Sequence, residues 1–289
     1  MPAPRPSLYA YALSLYEAQP DGRLPHRGYP LPDQPSQRPR RLDWREAQTS
    51  VRKALAPLLS DPDTARAADE VHRKLHELGV RDRHIQGVMT DLPLDDTAVA
   101  RSLGRRLTRT GTSTPAVSVG ITLLGRLGEP EDVPYLKILG LLKDLARPAV
   151  DALTALDCPT AALVWLANRA RHPDLRRLVD AIASRNDDEA RNWLISAPLD
   201  PGAVGPSTAR RIAEAVRLSD ALSEEQVNSQ VVAQAGRLLS RMTGLRDYRP
   251  EILSYRQAIT AYQALVARAT QLPPTLDHYA ILGACPKAG

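Results

Sequence analysis

A pattern of apolar residues occurs twice in the middle of the chain, at a spacing of 29 residues. The first copy contains Leu124, Leu127, Pro130, Val133 and Leu136, and the second contains Leu153, Leu156, Pro159, Ala162 and Trp165. Each copy is an apolar-periodic run that ends in Leu-x-x-Leu, then a turn, then a proline that opens the next run. This order predicts two helices joined by a tight turn. Because one such hairpin cannot bury its own apolar face, we expect the copies to stack.

Helical periodicity extends well beyond the two copies, from about Asp43 to Leu272. No stretch shows the two-residue alternation that is typical of strands, so the sequence predicts an all-α fold. Residues 42–200 are predicted to form the helical repeats. A Pro- and Gly-rich run at 197–208 indicates a boundary, and 201–289 are predicted to form a C-terminal cap of longer helices.

Residues 1–41 have a different character. Ser7 is predicted to cap a short helix over 7–18, and the Pro-, Gly- and Arg-rich run that follows predicts an extended tether. Two interpretations of this region stay open. The tether could hold the first helix against the repeats, or the tyrosines could form a docking segment for another protein; they are Tyr9, Tyr11, Tyr16 and Tyr29.

The segment from Leu123 to Leu136, LLGRLGEPEDVPYL, resembles the HEAT-like repeats of α-solenoid proteins, particularly the short variety first described in bilin lyases. The resemblance implies an α-solenoid of stacked antiparallel hairpins. Such solenoids offer long surfaces and seldom a reactive pocket. We therefore expect a non-enzymatic scaffold that binds a protein or peptide partner along its surface.

Composition changes this picture only in part. The formal net charge is +5, and arginine greatly outnumbers lysine, which could indicate a nucleic-acid-binding surface. The acidic residues are interspersed with the arginines, however, so a compositional origin is equally open. No apolar stretch is long enough to cross a membrane, and the two cysteines show no ligand spacing. We expect a cytoplasmic protein without cofactor or metal.

Six arginines are the candidate residues for binding a partner or a nucleic acid. They are Arg101, Arg105, Arg109, Arg169, Arg176 and Arg177. The first three recur every four residues on one predicted helix, on the side opposite to its apolar stripe, and are expected to face water. They could bind an anionic partner, or simply complement the helix dipole near its C-terminal end.

A search for catalytic chemistry finds little. His72 and His76 lie one helical turn apart, but no further ligand accompanies them, so no metal site is predicted. Neither a phosphate-binding loop nor a nucleophile motif is present. We predict no catalytic residue and favour a non-enzymatic function.

One enzymatic alternative uses the same scaffold. HEAT-like alkylpurine DNA glycosylases grip DNA on a basic concave face and use paired tryptophans with an aspartate. Trp165 and Trp193 occupy successive repeats here, with arginines nearby, which is similar to that arrangement. The chain departs from it at residue 169, where an arginine stands in place of the aspartate. A nucleic-acid-binding protein of this type is the alternative function.

Overall fold

The computed structural model of the protein describes residues 6–32, 43–79, 82–156, 158–171, 173–197, 204–243, 245–246 and 249–268. Within these ranges the predicted all-α fold is confirmed. Fifteen α-helices form nearly all of the regular structure, and the only strands there are a two-residue antiparallel pair, Leu245–Arg246 and Arg249–Pro250.

The chain divides into two compact units, Met1–Asp174 and Leu175–Gly289. The helices of the first are α1 (Leu8–Ala18), α2 (Trp44–Leu55), α3 (Thr64–Leu78), α4 (Asp82–Asp91), α5 (Thr97–Thr110), α6 (Thr114–Leu127), α7 (Val133–Leu139), α8 (Ala146–Ala155) and α9 (Ala161–Ala167). Those that follow are α10 (Asp174–Ala183), α11 (Asp188–Ser196), α12 (Pro206–Ala215), α13 (Leu218–Ser223), α14 (Ser229–Met242) and α15 (Ala258–Arg268). The predicted boundaries near 41 and 200 lie outside the described residues.

Side-chain caps fix where several helices begin. The Ser7 hydroxyl accepts a hydrogen bond from the Ala10 N–H at 3.1 Å, as the sequence predicts. Asp96 caps α5 in the same way through two N–H groups. Ser223 and Gln226 form a capping-box pattern in the sequence, which predicts that a long helix starts at Ser223. That helix begins instead at Ser229, because Ser223 ends α13 and the Asn228 side chain supplies the cap.

The predicted greater length of the C-terminal helices is wrong for the described residues. Helix α14 has 14 residues and α15 has 11, whereas α3 has 15. Residues 269–272, which the sequence places in the last helix, lie outside the described part of the chain. Length therefore does not distinguish the two C-terminal helices from those of the repeats.

The helices of the first unit pack in two alternating rows. In one row α2, α4, α6 and α8 each contact the next, and in the other α3, α5, α7 and α9 do the same. Contacts between the rows, notably α5 with α6 and α7 with α8, bury the apolar faces of both. Helix α1 packs on α5 and α7.

Two glycines allow α5 and α6 to approach closely. A Cβ atom placed on Gly120 would lie 2.8 Å from the Cβ of Leu107 and 3.0 Å from the carbonyl oxygen of Gly104. One placed on Gly104 would meet the Leu123 side chain at 3.1 Å. The absence of side chains at these two positions therefore sets the distance between the two helices.

The two copies of the repeated pattern occupy similar but not identical environments. Leu124 and its counterpart Leu153 are completely buried, and Val133 and Ala162 are buried as well. The correspondence fails at two positions. Leu127 is half-buried, whereas its counterpart Leu156 is buried. Leu136 is completely buried, whereas Trp165 is only half-buried, so the tryptophan is not the core residue that the register predicts.

The described part of the tether is anchored to the first unit rather than free. Leu24 and Tyr29 are buried. The Tyr29 N–H donates to the Leu141 carbonyl at 2.8 Å, and its own carbonyl accepts from the Lys143 N–H at 2.8 Å. Of the two interpretations of this region, the structure favours the one in which the tether holds α1 against the other helices of the first unit.

In the second unit α12, α13 and α15 pack around α14 and bury aliphatic side chains. A buried carboxylate takes part in this packing, since Glu251 accepts a hydrogen bond from Arg210 Nε at 2.8 Å. This hydrogen bond raises the pKa of Arg210, and a hydrogen bond with Glu214 raises it to a smaller extent.

His72 is expected to make the stability of the protein depend on pH. Burial lowers its pKa below the ordinary 6.5, against a smaller opposite effect of Asp69. The unfolded chain therefore binds a proton that the folded chain rejects, so stability falls as the pH drops below about 6.5. Urea unfolding across this range should show a loss of stability towards low pH that His72→Gln lacks. Identical pH profiles would contradict the assignment.

Candidate functional site

Arginines and acids meet where α5 runs beside the start of α7. This arginine–acid network consists of Arg101, Arg105, Arg109, Glu129, Glu131 and Asp132. Arg105 lies at its centre: Nε donates to Asp132 Oδ1 at 2.9 Å, and Nη2 lies 2.6 Å from a Glu129 oxygen. These two hydrogen bonds, first that to Asp132, raise the pKa of Arg105.

The network corrects the expectation that the three α5 arginines face water. They lie against carboxylates, and the Asp132 side chain is only 1% exposed. Arg101 pairs with Glu129, and Arg109 lies 3.5 Å from Asp132. Three positive charges are balanced by three negative ones. The arginine periodicity of α5 is therefore accounted for by contacts within the chain.

Aromatic side chains continue from this network onto α1. The Arg109 guanidinium lies 4.3 Å from the centre of the Tyr135 ring, which contacts the Tyr9 ring at 4.8 Å. Burial is the main cause that raises the pKa of Tyr9, with Tyr135 next. Two of the N-terminal tyrosines, Tyr9 and Tyr16, thus contact α7 and α9 of the same chain.

A second group, the Trp165 cluster, consists of Tyr16, Lys137, Trp165 and Arg169. The Trp165 ring contacts the Tyr16 ring edge-on at 5.4 Å. Two cations lie against the same indole: Lys137 Nζ at 4.6 Å and the Arg169 guanidinium carbon at 4.1 Å from a ring centroid. All four side chains are half-buried, so α1, α7 and α9 together present a partly exposed aromatic and cationic surface.

The Trp165 cluster differs from the arginine–acid network in its charge balance. Within the described ranges, neither Lys137 nor Arg169 forms an ion pair. Arg169 donates instead to the carbonyl oxygens of Trp165 at 3.1 Å and Pro20 at 2.8 Å. Burial, and then the charge of Arg169, lower the pKa of Lys137. Two positive charges therefore lie against one indole, and no carboxylate in the described part of the chain pairs with either of them.

The six predicted arginines do not form a single site. Three belong to the arginine–acid network and Arg169 belongs to the Trp165 cluster. Arg176 and Arg177 lie on α10 in the second unit, as does Trp193 on α11. Sequence reasoning missed Lys137, the second cation of the cluster. Its position one residue after Leu136 in the repeat pattern could have shown that it borders the apolar face.

The described residues also form a small groove, which is separate from the two clusters. A groove of about 230 Å³ lies among α4, α6 and α8, smaller than the usual small-molecule site of roughly 300 Å³ or more. The described residues contain no group of His, Cys, Asp and Glu that could hold a metal ion, and no helix there is both long and apolar enough to cross a bilayer. Cys158 is buried and Cys285 lies outside the described residues.

Comparison with protein-family models, with curated proteins and with solved structures found no significant match. The site must therefore be interpreted from its own geometry and from the repeat pattern.

Proposed function

We propose that this chain is a HEAT-like helical-repeat protein that binds a protein partner and carries out no reaction of its own. The repeat pattern and the two alternating rows of helices in the first unit support the repeat architecture. The resemblance of Leu123–Leu136 to HEAT-like repeats supports the class. Binding takes place, in this proposal, on the surface formed by α1, α7 and α9.

The observation that carries the proposal is the half-buried Trp165 cluster. Tryptophan, tyrosine and arginine are the residues most enriched among those that contribute strongly to protein interfaces. Their rings offer a large contact area for a small loss of conformational freedom. Here the indole is held by Tyr16 and Arg169, so little ordering remains to be done when a partner binds.

The nucleic-acid alternative receives less support. Contact with a phosphate backbone needs several uncompensated cations along one surface. The three arginines of α5 are balanced by carboxylates. A DNA glycosylase of this type would also need an aspartate one turn after Trp165. Arg169 occupies that position here and stacks on the indole.

Affinity capture from native lysate with the full chain tests the proposal, with Trp165→Ala as the variant and Trp44→Ala as the control. Trp44 is 45% exposed and lies on α2. That helix belongs to one row of the first unit, whereas the α7 and α9 helices of the Trp165 cluster belong to the other. We expect a protein partner that the unchanged chain and Trp44→Ala retain and that Trp165→Ala loses. Circular dichroism should show equal helix content in all three. Recovery that does not depend on Trp165 would contradict the proposal.

A further inference from the structure

We propose that Lys137 and Arg169, arranged on the Trp165 ring, form the binding site for an acidic peptide segment of a partner protein. The inference rests on the proposed function and specifies the chemistry of the partner. It goes beyond a general interaction surface because the two charged groups, their donors and the ring that holds them define what the segment must offer.

The positive charges of the site favour an acidic ligand. Elsewhere in the first unit an arginine is paired with acidic side chains. Arg105 contacts the carboxylates of Glu129, Glu131 and Asp132. Lys137 and Arg169, by contrast, have no acidic partner among the described residues. A ligand carboxylate could take, beside Lys137 and Arg169, the role that the three acidic side chains have beside Arg105.

Lys137 and Arg169 are half-buried, which strengthens their attraction for an anion. Charges that are half-removed from water interact more strongly with an opposite charge than exposed ones do. The two cations also repel each other, and burial together with this repulsion lowers the pKa of Lys137. A carboxylate at the site would relieve the repulsion and recover part of the lost hydration. Binding of an anion is thus favoured over binding of a neutral polar group.

The contacts of Arg169 and Lys137 determine which donors a ligand can meet. The hydrogen bonds of Arg169 to the carbonyl oxygens of Trp165 and Pro20 fix its guanidinium against the indole. The Lys137 ammonium has three donors and forms no hydrogen bond within the described ranges, so these donors can reach a ligand. The Trp165 and Tyr16 rings provide an apolar surface for the stems of acidic side chains.

The size of the site favours a short peptide over a nucleic acid. Two cations can pair with two carboxylates of an extended segment, but a phosphate backbone would meet the balanced arginine–acid network along α5. A single acidic stretch fits this limited positive charge.

Fluorescence anisotropy with the full chain provides the test. The probes are a fluorescein-labelled peptide of Glu-Ser repeats, the same peptide with Gln in place of Glu, and a labelled DNA single strand of equal charge. We expect the Glu peptide to bind about tenfold or more tightly than the Gln peptide, since charge-assisted hydrogen bonds are lost in the latter. Binding should weaken by about tenfold in Lys137→Gln and be retained in Lys137→Arg.

Lys143→Gln is the matched control, because it removes the same charge from an exposed lysine six residues away in sequence. It should bind the Glu peptide like the unchanged chain. Equal affinity for the Glu and Gln peptides, or equal losses in Lys137→Gln and Lys143→Gln, would overturn the inference. Tighter binding of the DNA strand with the same dependence on Lys137 would overturn it in favour of a phosphate ligand.

The failures of the two proposals can be told apart. Lysate capture that depends on Trp165, without binding of the Glu peptide, would leave the protein-binding function standing and remove only the acidic chemistry. Binding of the Glu peptide that depends on Lys137, without any captured protein, would remove the proposed function and keep the anionic specificity of the site.

Discussion

Leu136→Ala is expected to lower the free energy of unfolding of the first unit by about 2 to 5 kcal/mol, the usual effect of truncating a buried leucine. Leu136 is completely buried on α7, in the row that links α5 to α9. Its removal would leave a cavity between packed helices of the first unit, which could close only if the helices shifted relative to one another. Urea unfolding followed by far-ultraviolet circular dichroism measures the change.

The matched control is Leu253→Ala, which makes the same chemical change at a side chain that is 75% exposed. We expect its effect to be below about 0.5 kcal/mol. A normal unfolding midpoint in Leu136→Ala would mean that this residue does not belong to the core of the first unit. The 29-residue register would then have no structural basis.

Helix positions were predictable because their causes are local. An aspartate or serine that accepts from the N–H groups of the first turn sets the start of a helix, as Ser7 and Asp96 do. Gly79, with φ of 57°, ends α3, and a glycine after an apolar helical stripe predicts such an end because this left-handed conformation favours glycine. The apolar stripes likewise place Leu103 and Leu107 in the core.

Features that depend on distant pairing were not predictable in the same way. The stripe of Arg101, Arg105 and Arg109 indicates only that these residues leave the apolar face. Whether they meet water or carboxylates depends on where the chain returns about 27 residues later. The start of α14 was missed for a related reason, since Ser223 and Gln226 form a valid capping pattern that the end of α13 overrides.

The position of Trp165 shows both the use and the limit of the repeat pattern. The register pairs it with the buried Leu136, yet its ring is only half-buried and contacts Tyr16 from a segment nearly 150 residues earlier. No spacing rule within the repeats contains that contact. The Trp165 cluster arises because α1 returns to the repeat surface, and Lys137 gains its role only in that arrangement.

Asp132→Ala is expected to destabilise the first unit by about 3 kcal/mol, because it leaves a partly buried arginine without its only buried carboxylate among the described residues. Asp132 accepts from Arg105 Nε at 2.9 Å and from the Glu129 backbone N–H at 3.0 Å. The variant thus removes an ion pair and a cap at the entry to α7. Arg105 keeps Glu129 and Glu131, which is why we expect less than the loss for a fully isolated charge.

Glu131→Gln separates this effect from the general loss of a negative charge. Glu131 contacts the same arginine at 2.8 Å, but its side chain is 62% exposed, so its contribution should be at most about 1 kcal/mol. Added salt should reduce that small contribution further and leave the effect of Asp132→Ala largely unchanged. Equal destabilisation by the two variants would show that burial of Asp132 does not strengthen its interaction with Arg105. The α5 arginines would then be held by surface attraction alone and could exchange their carboxylates for an external anion.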